Sequence, residues 1–138
     1  MLLGLDPILT ADLLHALRAM GHGDTISIVD ANFPAVANAR RLVTLPGCDA
    51  SRMLRAVLSV LPVDDFIPEP LTTMQVVGDP DAVPEAVAEF RAISGGAGMA
   101  SVDRHEYYRL TREAFAVVQT GDRRLYANVI VTKGVIRV

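Results

Sequence analysis

Two periodicities alternate along this chain. Within residues 7–20, Leu13, Leu14, Leu17 and Met20 recur at the spacing of one helix face, while His15 and Arg18 fall off it. Thr10 precedes this face as an N-cap, Asp12 sits in the first turn, and Gly21 follows the last apolar residue as a helix stop. Residues 25–30 then read Thr-Ile-Ser-Ile-Val-Asp, a β-branched run apolar enough for a central strand. A short helical turn is expected from Pro34, then a strand at 41–45 closed by Pro46-Gly47. Residues 51–61 form a second amphipathic helix, with Asp49 or Ser51 as cap and Met53, Leu54, Val57, Leu58 and Leu61 inward. Prolines and acids break 62–70, which reads as irregular. Further on, the pattern predicts strands at 71–77 and 99–103, and helices at 84–93 and 105–115. Strands at 117–120 and 126–132 end the chain, joined across Gly121-Asp122-Arg123-Arg124 as an antiparallel hairpin. The fold class is therefore α/β, with helices packed on a mixed sheet.

Composition narrows the partners. The 138 residues amount to one domain, 1–138, and 51% of them are hydrophobic. A short chain has much surface for its volume, so part of this apolar content is expected to be covered by further copies, as a homo-oligomer. The net charge of −3 comes without any basic stripe, which excludes nucleic acid on electrostatic grounds. No apolar run approaches the roughly 18 residues of a membrane span, and the start of the chain lacks the cationic segment of a signal peptide. Cys48 is the only cysteine, so no intrachain disulfide can form, and a cytoplasmic location is expected.

Few residues suggest chemistry. His22 stands between Gly21 and Gly23, on a turn with little side-chain cover and with Asp24 and Asp30 nearby. A solvated loop histidine is its plain reading; an acid–base group is the functional one, because imidazole titrates near neutrality. Asp30 closes a strand, where it either starts a turn or reaches a ligand at the sheet rim. Arg104 and His105 follow a glycine-rich connector, and either can be an ordinary residue of a helix start. Tyr126, Ala127 and Asn128 follow the hairpin turn; the tyrosine can simply pack and the asparagine can simply end a turn. The histidines are too scattered for a metal site, and Gly95-Gly96-Ala97-Gly98 lacks the lysine of a phosphate loop.

Taken together, Met20-Gly21-His22-Gly23-Asp24, Asp30-Ala31-Asn32-Phe33-Pro34-Ala35, Tyr126-Ala127-Asn128-Val129-Ile130 and Lys133-Gly134-Val135 resemble the ribose pyranase/fucose mutarotase family. The likeness runs over almost the whole chain, and Phe33-Pro34-Ala35 is closer to the fucose branch. It implies a three-layer α/β/α sandwich and a monosaccharide mutarotase that uses no cofactor and no metal. It implies His22 as proton donor, and Asp30, Arg104, Tyr126, Ala127 and Asn128 as sugar ligands, with His105 a rival to Arg104. It implies a homo-oligomer, a toroidal decamer as in bacterial members of the family or a smaller assembly as in some others. Asn32 departs from the histidine of the fucose pattern, which bears on sugar preference more than on the reaction. The alternatives are ribose pyranase activity and a binding module without turnover.

Overall fold

A computed structural model describes all of residues 1–138. The chain runs α1 (Ala11–Ala19), β1 (Thr25–Val29), α2 (Ala35–Asn38), β2 (Leu42–Leu45), α3 (Ala50–Leu58), β3 (Leu71–Met74), α4 (Glu85–Ile93), β4 (Met99–Val102), α5 (Arg104–Glu113), β5 (Ala116–Thr120) and β6 (Val129–Thr132). The strands make one six-stranded sheet in the order β2-β5-β1-β6-β3-β4. Only β6 runs against its neighbours: β1–β5, β2–β5 and β3–β4 pair parallel, whereas β1–β6 and β3–β6 pair antiparallel.

Strand alternation builds the layers. Ile26 and Ile28 of β1, with Ala116 and Val118 of β5, join Leu13 and Leu17 of α1, Met53, Leu54 and Val57 of α3, and Val87 and Phe90 of α4 in the larger core. Their neighbours Val29 and Val117 point the other way, into a smaller core with Phe33, Ala35 of α2 and Tyr107 of α5. The result is the expected three-layer sandwich, and β1 is buried on both faces as a central strand must be. Ser27 is the one buried polar residue of β1. Its hydroxyl lies 3.1 Å from both Tyr107 OH and Thr111 Oγ1, so a buried hydroxyl trio replaces the lost water contacts. Burial pushes the Tyr107 hydroxyl far up, so it stays neutral.

The helix starts obey local rules. Thr10 accepts the Leu13 N–H at the head of α1, Asp49 caps α3 through Arg52 N–H, and Asp103 caps α5 through Glu106 N–H. The helix expected at 7–20 thus begins only at Ala11, where its cap sits.

One expectation is overturned. β5 and β6 do not form a hairpin, because β1 lies between them. Residues 121–128 instead cross over the carboxyl end of β1. The polar turn expected to close a hairpin is therefore partly interior, and Asp122 is only 3% exposed. Four hydrogen bonds make this tolerable: Asp122 accepts from the Ala50 N–H, the Arg124 N–H, Arg124 Nε and Arg124 Nη2, at 2.9–3.1 Å. Arg124 also reaches Glu89 of α4 at 2.9 Å, and Glu89 accepts from Ser51 of α3. Gly121 is required where the crossing begins, since a Cβ there would stand 1.9 Å from the Pro46 carbonyl oxygen. The crossing also delays the last strand, which starts at Val129 rather than Tyr126. Likewise β3 stops at Met74, short of the expected Val77, and Val76 bridges to Asp79 within the following turn instead.

Candidate functional site

The crossing loop assembles a cleft at the carboxyl ends of β1, β3 and β4, where ligands bind in parallel sheets. Asp30 leaves β1 and is 4% exposed. Asn128, just before β6, grips it from both sides: the Asp30 N–H donates to Asn128 Oδ1 at 2.9 Å, and Asn128 Nδ2 donates to Asp30 Oδ2 at 3.1 Å. The Asn32 N–H donates to Asp30 Oδ1 at 2.9 Å, a local turn that keeps the carboxylate upright. The Ala31 N–H donates to the Asp122 carbonyl at 2.8 Å and so fastens the loop to the same strand end. Burial pushes the Asp30 pKa up; the Asn32 N–H and Asn128 amide oppose this without cancelling it.

Tyr126 holds φ +62°, the only non-glycine residue with positive φ. A side chain in that region is strained and persists only where its surroundings impose it. Its hydroxyl accepts the Val77 N–H at 3.1 Å, bridging the crossing loop to the turn after β3. Arg104 comes from the first turn of α5 and, unlike Arg109, Arg124 and Arg137, makes no salt bridge within the chain. Together with Asn32, Phe33 and Tyr108, these groups line a cleft of about 170 Å³. A second hollow of about 460 Å³ adjoins it across Val77 and Arg104, and His105 lines that one rather than the first.

Four of the six residues singled out in the sequence therefore meet: Asp30, Arg104, Tyr126 and Asn128 line one cleft. Ala127 does not, since its side chain is fully buried in the larger core and only its backbone could face a ligand. His22 does not either. It precedes β1, so about 17 Å of strand separates it from Asp30, at the opposite end of β1. There His22 Nε2 lies 3.0 Å from Oδ1 of Asp64, and its ring sits 4.8 Å from that of Phe66. Both partners come from the proline-broken stretch, where the sequence offered no periodicity to point at them. Asp24 is no partner of the imidazole; its carboxylate accepts the Gly21 N–H at 2.7 Å and closes the turn. Cys48 is half-buried, and burial pushes its thiol up, against a nucleophilic role. No three His, Cys, Asp or Glu side chains converge as metal ligands would, and no helix is long and apolar enough to cross a membrane.

This mixed sheet, with a carboxylate, an amide, a phenol and an unpaired guanidinium converging at its strand ends, defines a class of small α/β proteins built to hold a polar, hydroxyl-bearing ligand. The chain belongs to the RbsD / FucU transport protein family, whose pattern matches residues 3–136. A human fucose mutarotase is 36% identical over 143 aligned residues, spanning 96% of this chain and 93% of the relative. An L-fucose mutarotase of Histophilus somni is 34% identical, spanning 98% and 97%. The crystal structure of the fucose mutarotase from Streptococcus pneumoniae in complex with L-fucose has a TM-score of 0.92 at 32% identity, with 99% and 100% of the two chains covered. The structure of Bacillus subtilis RbsD complexed with D-ribose shares the fold, with a TM-score of 0.78 at 22% identity over 94% and 95%.

Proposed function

We propose that residues 1–138 form one mutarotase domain that interconverts the α and β anomers of a monosaccharide of the L-fucose type. The observation that carries this is the strand-end cleft. Asp30, Arg104, Tyr126 and Asn128 converge there, in a chain 36% identical to a fucose mutarotase along nearly its whole length. The chemistry asks for two proton positions and nothing more. As the hemiacetal opens, the anomeric hydroxyl gives up its proton, its electrons form the carbonyl, and the C1–O5 bond breaks onto O5, which takes a proton. Closure on the other face of the carbonyl reverses each transfer. Asp30 suits the first transfer, because a carboxylate whose pKa is raised is a stronger base than a solvated one. Arg104 and Tyr126 hold hydroxyls, Asn128 keeps Asp30 aligned, and Ala127 contributes through its backbone alone. His22 serves O5.

That last assignment requires a second copy. His22 and Asp30 stand at opposite ends of β1, so one subunit cannot offer both to one sugar. A head-to-tail homo-oligomer joins the histidine end of one copy to the cleft of the next, and such contacts close into rings. Exposed apolar side chains at both ends support this: Phe66 beside His22, Val77 and Leu125 at the cleft. The lone Cys48 suits action in a reducing cytoplasm. Saturation-transfer NMR of anomer exchange, run over a panel including L-fucose and D-ribose, tests the reading. Faster exchange for L-fucose is the expected result. A preference for D-ribose would move the protein to the pyranase branch, and binding without acceleration would make it a sugar-binding module.

A further inference from the structure

The geometry points to Asp64 as the positioning residue of His22, the group that fixes which imidazole nitrogen handles the proton. This rests on the mutarotase reading. Asp64 is buried, at 4% side-chain exposure, while His22 is 42% exposed. Asp64 Oδ1 accepts from His22 Nε2 at 3.0 Å and from the Phe66 N–H at 3.2 Å, so the carboxylate is held from two sides. An ionised carboxylate can only accept. Nε2 therefore carries its hydrogen toward Asp64 in both protonation states of the ring, and Nδ1 is left to exchange a proton with the sugar. The Phe66 ring at 4.8 Å restricts rotation of the imidazole, and the Arg137 guanidinium lies 5.1 Å from the centroid of that same ring.

The dyad is built on a shared backbone support. Residues 132–134 hold both halves. The Gly23 N–H donates to the Lys133 carbonyl at 2.9 Å, and the Lys133 N–H donates to Asp24 O at 2.9 Å, which anchors the histidine turn. On the other side the Asp64 N–H donates to Thr132 O at 3.0 Å, and the Gly134 N–H donates to Pro62 O at 2.8 Å. A Cβ at Gly134 would stand 2.6 Å from Val63 O and 2.8 Å from Asp64 Cα, so only glycine lets the segment bearing Asp64 lie this close. Lys133 Nζ adds bonds to Leu17 O at 2.9 Å and Met20 O at 2.6 Å, fixing the end of α1 from which the turn departs. The Lys133-Gly134 pair has no part in the cleft. It sets the distance between Asp64 and His22 instead.

The experiment uses the assembled full chain. In 15N-edited NMR of the wild type, His22 should show an Nε2-bound proton and a bare Nδ1 at neutral ring charge. The opposite tautomer would overturn the assignment. Asp64→Asn is isosteric and keeps the volume; it should lower the anomer exchange rate at saturating sugar by roughly ten- to a hundredfold, less than the 10²–10⁴ carried by an acid–base group itself. Half-saturation should stay within about twofold, because Asp64 is buried behind the imidazole and does not itself meet the sugar. Gly134→Ala, which pushes the Asp64 segment away, should reproduce the fall and weaken the Nε2 proton signal. Wild-type rate in Asp64→Asn beside an impaired His22→Ala would overturn the role of Asp64 and leave the mutarotase reading standing. A wild type that accelerates no sugar would sink both.

Discussion

The two ends of β1 solve opposite problems. At the carboxyl end, Asp30 is almost out of solvent and is held by Asn128, by the Asn32 N–H and by its own turn. At the amino end, His22 is half in solvent, and only its partner Asp64 is buried. One end buries the carboxylate proposed as base, and burial raises its pKa; the other end buries the carboxylate behind the ring and leaves the imidazole outside. A group that must meet ligand inside its own subunit can be recessed. On the proposed two-copy site, a group that serves another copy has to protrude, and its alignment then has to come from behind.

The largest effect separates the ends outright. His22→Ala and Asp30→Asn should each lose exchange activity, the former by about 10²–10⁴. Mixed during assembly in equal amounts, the two inactive variants should recover up to about a quarter of wild-type activity, the share of head-to-tail contacts that pair an intact His22 with an intact Asp30. No recovery on mixing, with co-assembly confirmed by native mass spectrometry, would end the two-copy site.

Next in size is the loop that shapes the cleft end. Asp122→Ala leaves the Ala50 N–H and Arg124 Nε without their acceptor, while Arg124 keeps Glu89; breaking a buried pair costs about 3–5 kcal/mol, and the remaining partner adds to the reasons for the lower end. Arg124 is 28% exposed on its side chain, so solvent screening points to the lower figure. Burial alone would raise the Asp122 pKa, but the Arg124 side chain and the Ala50 and Arg124 N–H groups outweigh it and hold it below the usual value. The unfolded carboxylate titrates near about 3.9. Asp122 therefore adds stability above that pH, and loses it as pH falls through its lower folded value. Thermal melts should show the wild type destabilised by acid in this range and Asp122→Asn less so; parallel curves would remove Asp122 from the account.

A smaller effect is the acid limb of activity. Burial holds Asp30 above the ordinary carboxylate range, so exchange should begin to fall at a higher pH than a solvated aspartate would give. A limb at or below the solvated value would mean that Asp30 does not act as the base. Smallest is Tyr126→Phe, which removes one hydrogen bond to the exposed Val77 N–H. Its cost in stability should stay within about 0.5–1.5 kcal/mol, with a few-fold rise in half-saturation and little change in rate at saturation.

Local sequence was enough for most of the elements, and the family motifs for the polar groups at the heart of the cleft. Periodicity located α1, α3 and β1, because an amphipathic face and a β-branched run are local properties. The family motifs named Asp30, Arg104, Tyr126 and Asn128, and these do share one cleft. What the sequence could not supply was which strands are neighbours. The local signal at Gly121-Asp122 is that of a hairpin, yet β1 takes the slot between β5 and β6, where both its edges are hydrogen-bonded and helices cover both its faces. That insertion sends the loop over the strand end, brings Asn128 to Asp30 across 98 positions, and buries Asp122. Asp64 was hidden for the same reason: it lies 42 positions from His22 in a stretch without period, and only the approach permitted at Gly134 brings them together. Side-chain spacing along a chain reports which face a residue takes; pairing across a sheet depends on the sum of all faces to be buried, and that sum exists only once the chain has folded.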